Sequence, residues 1–147
     1  MAVMTFSLDQ FELPLYHAED EGLWVLGAWI TGDISVEKQV CLDALAMVAD
    51  VSAGRPPFEE WSSENYQVEF TPSVLRIQNL WIPDERGEFP FPLVKEVIED
   101  YWRFLVSIPE NPRLIREFHP DRPEWEAHLL LWEETWKRPH PYRGTFF

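Results

Sequence analysis

The chain has 147 residues, of which 46% are hydrophobic and 15% aromatic, so it suits one domain with a packed core and excludes a disordered segment. Its net charge of −14 repels nucleic acids and anionic membranes and attracts basic surfaces. We therefore predict a single domain, residues 1–147, that binds neither nucleic acid nor membrane directly. The negative charge is uneven: residues 1–75 carry a net charge of −11, and residues 76–147 carry −3.

The first third of the chain predicts three strands. Residues 3–8 and 11–16 have the length and composition of short strands, and 23–31 (LWVLGAWIT) of a stronger one. The turn before the third strand holds three consecutive acids, namely Glu19, Asp20 and Glu21. These acids are the first candidate contact site for a basic partner.

A helix is predicted from an N-cap at Ser35 to about Ala53, because apolar residues recur there at helical spacing and Gly54 follows. The next connection sets a tryptophan among acids: Glu59 and Glu60 precede Trp61, and Glu64 follows. Two interpretations stay open. Trp61 either packs on the core while the acids remain solvated, or forms with them a contact surface for a basic partner.

The rest of the chain predicts a hairpin and two helices. Residues 66–70 and 74–82 alternate between apolar and polar side chains, and a charged connection follows. Helices are predicted from Pro92 and from Pro123 to about Lys137. We expect the segment after Lys137 to pack back across the domain. The order of elements predicts an α+β fold, with an antiparallel sheet of about 4–5 strands and three helices mainly on one face.

Patterns of catalysis and metal binding are absent from the sequence. Cys41 lies on the apolar stripe of a predicted helix, and the four histidines form no zinc-binding spacing. No glycine-rich phosphate loop or nucleophile elbow occurs. We therefore predict a protein that is not an enzyme, with no cofactor, no catalytic residue and no metal site.

The compartment follows from two further features. A single cysteine fits a reducing environment, and the N-terminus lacks the basic start and apolar run of a signal peptide. We expect a cytoplasmic protein.

The hairpin NYQVEFTPSVLRIQNLW and the acidic helix EFPFPLVKEVIEDYWRFL, over residues 64–107, resemble the small acidic immunity proteins of bacterial polymorphic-toxin and contact-dependent-inhibition systems. The resemblance implies tight binding to a toxin domain, often a basic nuclease, whose active site is occluded. It assigns a role to no individual residue. Two alternatives stay open: an acidic nucleic-acid mimic that inhibits a DNA-binding protein, and a small enzyme without a readable motif.

Overall fold

A computed structural model describes residues 2–147 and confirms the α+β class. Within these residues lie six strands: β1 (Thr5–Leu8), β2 (Pro14–His17), β3 (Trp61–Ser62), β4 (Tyr66–Phe70), β5 (Val74–Asn79) and β6 (Arg86–Pro90). The α-helices are α1 (Trp24–Trp29), α2 (Lys38–Ser52), α3 (Phe91–Ser107) and α4 (Glu124–Trp136). A 3-10 turn over Glu21–Leu23 precedes α1, and a π-helical segment over Ile30–Ile34 follows it.

Strands β3 to β6 form one antiparallel sheet in chain order, and β1 pairs with β2 in a separate two-stranded sheet. One face of the larger sheet is apolar and packs on α1, α2 and α3. The other face is polar. There Arg76 lies opposite Glu69 and Glu88 on the neighbouring strands and donates to both, at 2.6 and 2.7 Å. The predicted single sheet is therefore two sheets.

The segment 23–31 is helical, and its prediction as a strand is wrong. Nearly every residue from Val25 to Ile30 is buried, so the segment is apolar on all sides and shows neither helical nor strand periodicity. Gly27 lets this helix approach the small hairpin. A Cβ atom at Gly27 would lie 2.5 Å from the ring of Tyr16 on β2.

Two further boundaries differ from prediction. Helix α2 begins at Lys38 with Glu37 as its N-cap, whereas Ser35, the predicted N-cap, has a φ of 51° and lies outside the helix. Strand β6 occupies part of the predicted connection, because Phe89 packs into the core between solvent-facing Glu88 and Pro90.

The C-terminal segment, residues 138–147, packs back on the domain as predicted. His140 and Tyr142 are buried, and Phe146 and Phe147 pack against the core. The segment thereby connects α2, α3 and α4, with Tyr142 reaching Glu99 on α3 and His140 reaching Leu42 on α2.

Candidate functional site

Four carboxylates from three parts of the chain line one surface cavity of about 260 Å³. We call it the acidic cleft and define it by Asp33, Asp43, Glu59 and Glu60. Asp33 lies in the π-helical segment, Asp43 on α2, and the two glutamates on the connection before β3. The rest of the lining consists of Trp61, the apolar side chains of Val40 and Met47, and the two serines Ser62 and Ser63.

Trp61 forms part of the wall of the cleft. The residue is only 8% exposed, and its ring packs edge-on against Trp29, with ring centroids 5.1 Å apart. Its Nε1 donates to Asp33 Oδ2 at 2.9 Å. This geometry supports the first of the two interpretations for Trp61, packing on the core. It also fixes the Asp33 carboxylate at the cleft, because an indole N–H aimed at one oxygen restricts the rotamer.

Asp43 is held in the same manner by a second tryptophan. The Nε1 of buried Trp132 on α4 donates to Asp43 Oδ1 at 2.8 Å. Burial, together with the negative charge of nearby Glu59, raises the pKa of Asp43 to about 6, although the Trp132 hydrogen bond opposes the shift. Near neutral pH, the ionised carboxyl therefore lacks part of its normal solvation.

The acids of the N-terminal half are largely without cationic partners. Of the thirteen acids in residues 1–75, only Asp50 and Glu69 lie within 4.0 Å of a basic side chain of residues 2–147. In residues 76–147, nine of thirteen acids are paired, counting Glu134 with His119. The acidic cleft thus belongs to the half of the chain whose negative charge is not neutralised internally.

The predicted site residues fall into two groups. Glu59, Glu60 and Trp61 line the acidic cleft, and Glu64 is exposed one residue beyond Ser63, which also lines it. Glu19, Asp20 and Glu21 are exposed elsewhere, and Glu19 and Asp20 line a separate cavity of about 660 Å³. Asp20 also caps the following 3-10 turn, since its Oδ1 accepts from Gly22 N at 2.8 Å.

Sequence reasoning missed Asp33 and Asp43. In the sequence Asp33 only follows the predicted strand 23–31, and Asp43 lies off the apolar stripe of its predicted helix, where a solvated acid would also lie. The available signal was the surplus of tryptophans, because most buried indole N–H groups have an acceptor. The structure supplies that acceptor from Asp33 for Trp61 and from Asp43 for Trp132.

Other chemistries have little support among residues 2–147. No group of three or more His, Cys, Asp or Glu side chains is arranged to hold a metal ion within that range. Cys41 is fully buried, and burial raises the pKa of its thiol, so it remains protonated. None of the helices described has the length and apolar character to cross a membrane. What the cleft can do is accept hydrogen bonds from ammonium or guanidinium groups.

Comparisons of the chain with models of protein families, with curated proteins and with solved structures found no match. The chain's own residues therefore carry the functional argument.

Proposed function

We propose that the protein is an acidic binding protein whose acidic cleft receives basic side chains of a partner protein. We propose further that it acts as an immunity protein against a basic, nuclease-type toxin domain. The observation that supports this proposal is the convergence of four carboxylates that have no basic side chain of residues 2–147 within 4.0 Å. Acids that served only to keep the surface solvated would have no reason to line one cavity. Convergent acids repel one another until a cation neutralises them.

The size of the cleft favours a partner's side chain over a free substrate. Its volume of about 260 Å³ lies below the roughly 300–1,000 Å³ of typical small-molecule sites. An arginine or lysine side chain, still attached to a protein surface, needs less room. Asp33 and Asp43 are held by their indole donors, so little side-chain entropy is lost when a guanidinium binds them.

Binding a nuclease in this way would occlude a surface built for phosphates. Such surfaces carry arginines and lysines, and carboxylates can occupy the positions that phosphates take. The excess negative charge of residues 1–75 would also accelerate association with a basic partner at low salt.

The test is co-expression with the toxin domain encoded by a neighbouring gene, using rescue of cell growth and the dissociation constant as readouts. The cleft variant replaces its four acids by the matching amides: Asp33→Asn, Asp43→Asn, Glu59→Gln and Glu60→Gln. The control variant removes the same charge from four exposed acids elsewhere: Glu12→Gln, Glu37→Gln, Glu96→Gln and Glu117→Gln.

We expect the wild type and the control variant to rescue growth, and the cleft variant to bind at least about tenfold more weakly, a loss of ~1.4 kcal/mol or more. Absence of rescue by the wild-type protein would refute the immunity role. Competition with duplex DNA separates the nucleic-acid mimic: DNA should displace a mimic from its target at low salt.

A further inference from the structure

We propose that Leu80, Trp81 and Ile82 form an apolar tip that inserts into an apolar pocket on the same basic partner, beside the acidic cleft. The proposal rests on the proposed function and adds the chemistry of the second half of the interface. The three side chains are 48%, 74% and 54% exposed, in a chain that buries most of its large apolar residues. They follow directly on strand β5, which ends at Asn79.

The shape of the tip is fixed by hydrogen bonds. The Asn79 side-chain oxygen accepts from the backbone N–H groups of Trp81 and Ile82, at 2.8 and 3.0 Å. The backbone N–H of Leu80 donates to the Asn65 carbonyl at 2.8 Å. The Trp81 indole is itself held, because its Nε1 donates to the Glu64 carbonyl at 2.8 Å.

A buried polar network lies beneath the tip. Glu85 is only 8% exposed and accepts from the Tyr66 hydroxyl at 2.9 Å and from the Asn79 side-chain amide. No basic side chain of residues 2–147 lies within 4.0 Å of this carboxylate. Burying a carboxylate without a cation lowers the stability of the fold, whereas apolar side chains would fill the same space at a smaller cost in free energy. What the network provides is a defined turn that displays Leu80, Trp81 and Ile82 to solvent.

The position of the tip identifies the partner's chemistry. Ser63 lines the acidic cleft, and the next residue, Glu64, supplies the carbonyl that holds Trp81. The tip and the acidic cleft are therefore adjacent. Two exposed acidic residues are neighbours of the tip: Glu64, whose carbonyl accepts from Trp81, and Asp84, two residues after Ile82. Charge complementarity then requires an apolar pocket with a basic rim.

The tip also has the features of a binding hot spot. Tryptophan is enriched at such positions, especially where surrounding residues exclude water. A tip that is rigid before binding loses little conformational entropy on association. Phe11, in the turn between β1 and β2, is equally exposed at 72%, so it serves as a matched aromatic control.

The experiment uses the full chain and two synthetic peptides. In one peptide lysine alternates with leucine; in the other, of equal length and charge, serine replaces leucine. Binding at low salt is followed by NMR, through the backbone amide signals of residues 80–82 and the Trp81 indole signal. The protein variants are Trp81→Ala and the control Phe11→Ala.

We expect the wild type to bind the lysine–leucine peptide about tenfold more tightly than the lysine–serine peptide, a difference of ~1.4 kcal/mol, because a hot-spot contact is lost with leucine. Trp81→Ala should abolish this preference, and Phe11→Ala should retain it. Equal binding of both peptides to the wild type, or a preference that survives Trp81→Ala, would overturn the inference and leave the proposed function standing. Failure of both peptides to bind would overturn the proposed function and the inference together.

Discussion

His140 is a neutral imidazole buried within the domain. Its Nε2 lies 2.9 Å from the Leu42 carbonyl, which can only accept, so Nε2 carries the proton. Its Nδ1 accepts from the Tyr142 backbone N–H at 3.1 Å and is therefore the unprotonated nitrogen. Burial lowers the pKa of His140 to about 4, because the imidazolium would be poorly solvated and would lose the Tyr142 hydrogen bond.

Acid should therefore destabilise the protein through His140. The unfolded state takes up a proton near pH 6.5 and the folded state only near pH 4, so this contribution is present above pH 6.5 and lost as the pH falls toward 4. Between pH 7 and pH 5 we expect wild type to lose about 2 kcal/mol of unfolding free energy relative to His140→Gln. Urea titrations at both pH values measure this difference. His17→Gln, at an exposed site on β2, is the control.

Asp43 has the opposite dependence on pH. Its pKa of about 6 in the folded state exceeds the roughly 3.9 of an unfolded chain. Its contribution to stability is therefore fully present below pH 3.9 and lost as the pH rises through 6.

We accordingly expect Asp43→Asn to raise the unfolding free energy, measured by urea titration at pH 7, by about 1 kcal/mol after allowance for solvent screening, and to leave it unchanged at pH 3.5. The asparagine oxygen can still accept from Trp132. Glu96→Gln, at an exposed site on α3, controls for the loss of one surface charge. An equal gain at both pH values would show that ionisation of Asp43 is not the cause.

At the scale of the elements, the C-terminal segment, residues 138–147, contacts the three helices α2, α3 and α4 and holds them together. The Tyr142 hydroxyl donates to Glu99 on α3 at 2.8 Å, and Arg143 binds Glu133 on α4 through two hydrogen bonds of 2.7 and 2.6 Å. The Phe147 ring meets Trp102 edge-on with centroids 5.5 Å apart.

Deletion of residues 139–147 should lower the melting temperature by several degrees, since it uncovers apolar surface on α3 and leaves Glu133 without its guanidinium. Tyr142→Phe removes only the hydroxyl contact with Glu99, so it should lower the unfolding free energy by ~1 kcal/mol and the melting temperature by less than the deletion does. Differential scanning calorimetry of both variants provides the measurement. A deletion that keeps the wild-type melting temperature but loses partner binding would instead make the segment a recognition arm.

Helices whose apolar residues recur at helical spacing are predicted correctly from the sequence, and segments without such a periodic pattern are not. The apolar stripes of α3 and α4 predict these helices because each has a solvated side, whereas α2, which is buried on nearly all sides, is predicted from the helical spacing of its apolar residues and from Gly54. The segment 23–31 lacks such spacing, so β-branched and aromatic residues favoured the wrong element. Strand β6 was missed because its charges and Pro90 are typical of loops, although Phe89 is a core residue.

The candidate site was predictable only where it is local in sequence. Glu59, Glu60 and Trp61 are neighbours along the chain, and the cluster is visible by inspection. Asp33 and Asp43 reach the same cavity through the packing of the π-helical segment and α2, which no spacing rule encodes. Trp61 is buried, and the most exposed tryptophan is Trp81, because β5 ends at Asn79 and the predicted strand does not continue to Ile82.

At the scale of the whole molecule, the negative charge is concentrated in residues 1–75, which contain only two basic side chains. Salt screens repulsion between exposed charges over about 10 Å at 0.1 M. We therefore expect added sodium chloride to raise the melting temperature of the free protein. In the cleft variant, with Asp33, Asp43, Glu59 and Glu60 neutralised, the rise should be smaller than in the control variant of equal net charge. Equal rises in the two variants would mean that the cleft contributes no special repulsion.

The raised pKa of Asp43 would make the proposed binding of a basic partner a proton-release reaction. Near pH 6 about half of the free molecules carry a proton on this carboxyl, and a guanidinium placed beside it expels that proton. The heat of association measured by calorimetry should then differ between buffers of unequal ionisation enthalpy, and affinity should weaken on acidification from pH 7 to pH 5. With Asp43→Asn, both the buffer dependence and this part of the acid sensitivity should disappear. In the wild type, by contrast, a basic partner would be bound most tightly at neutral pH and released as the surroundings acidify.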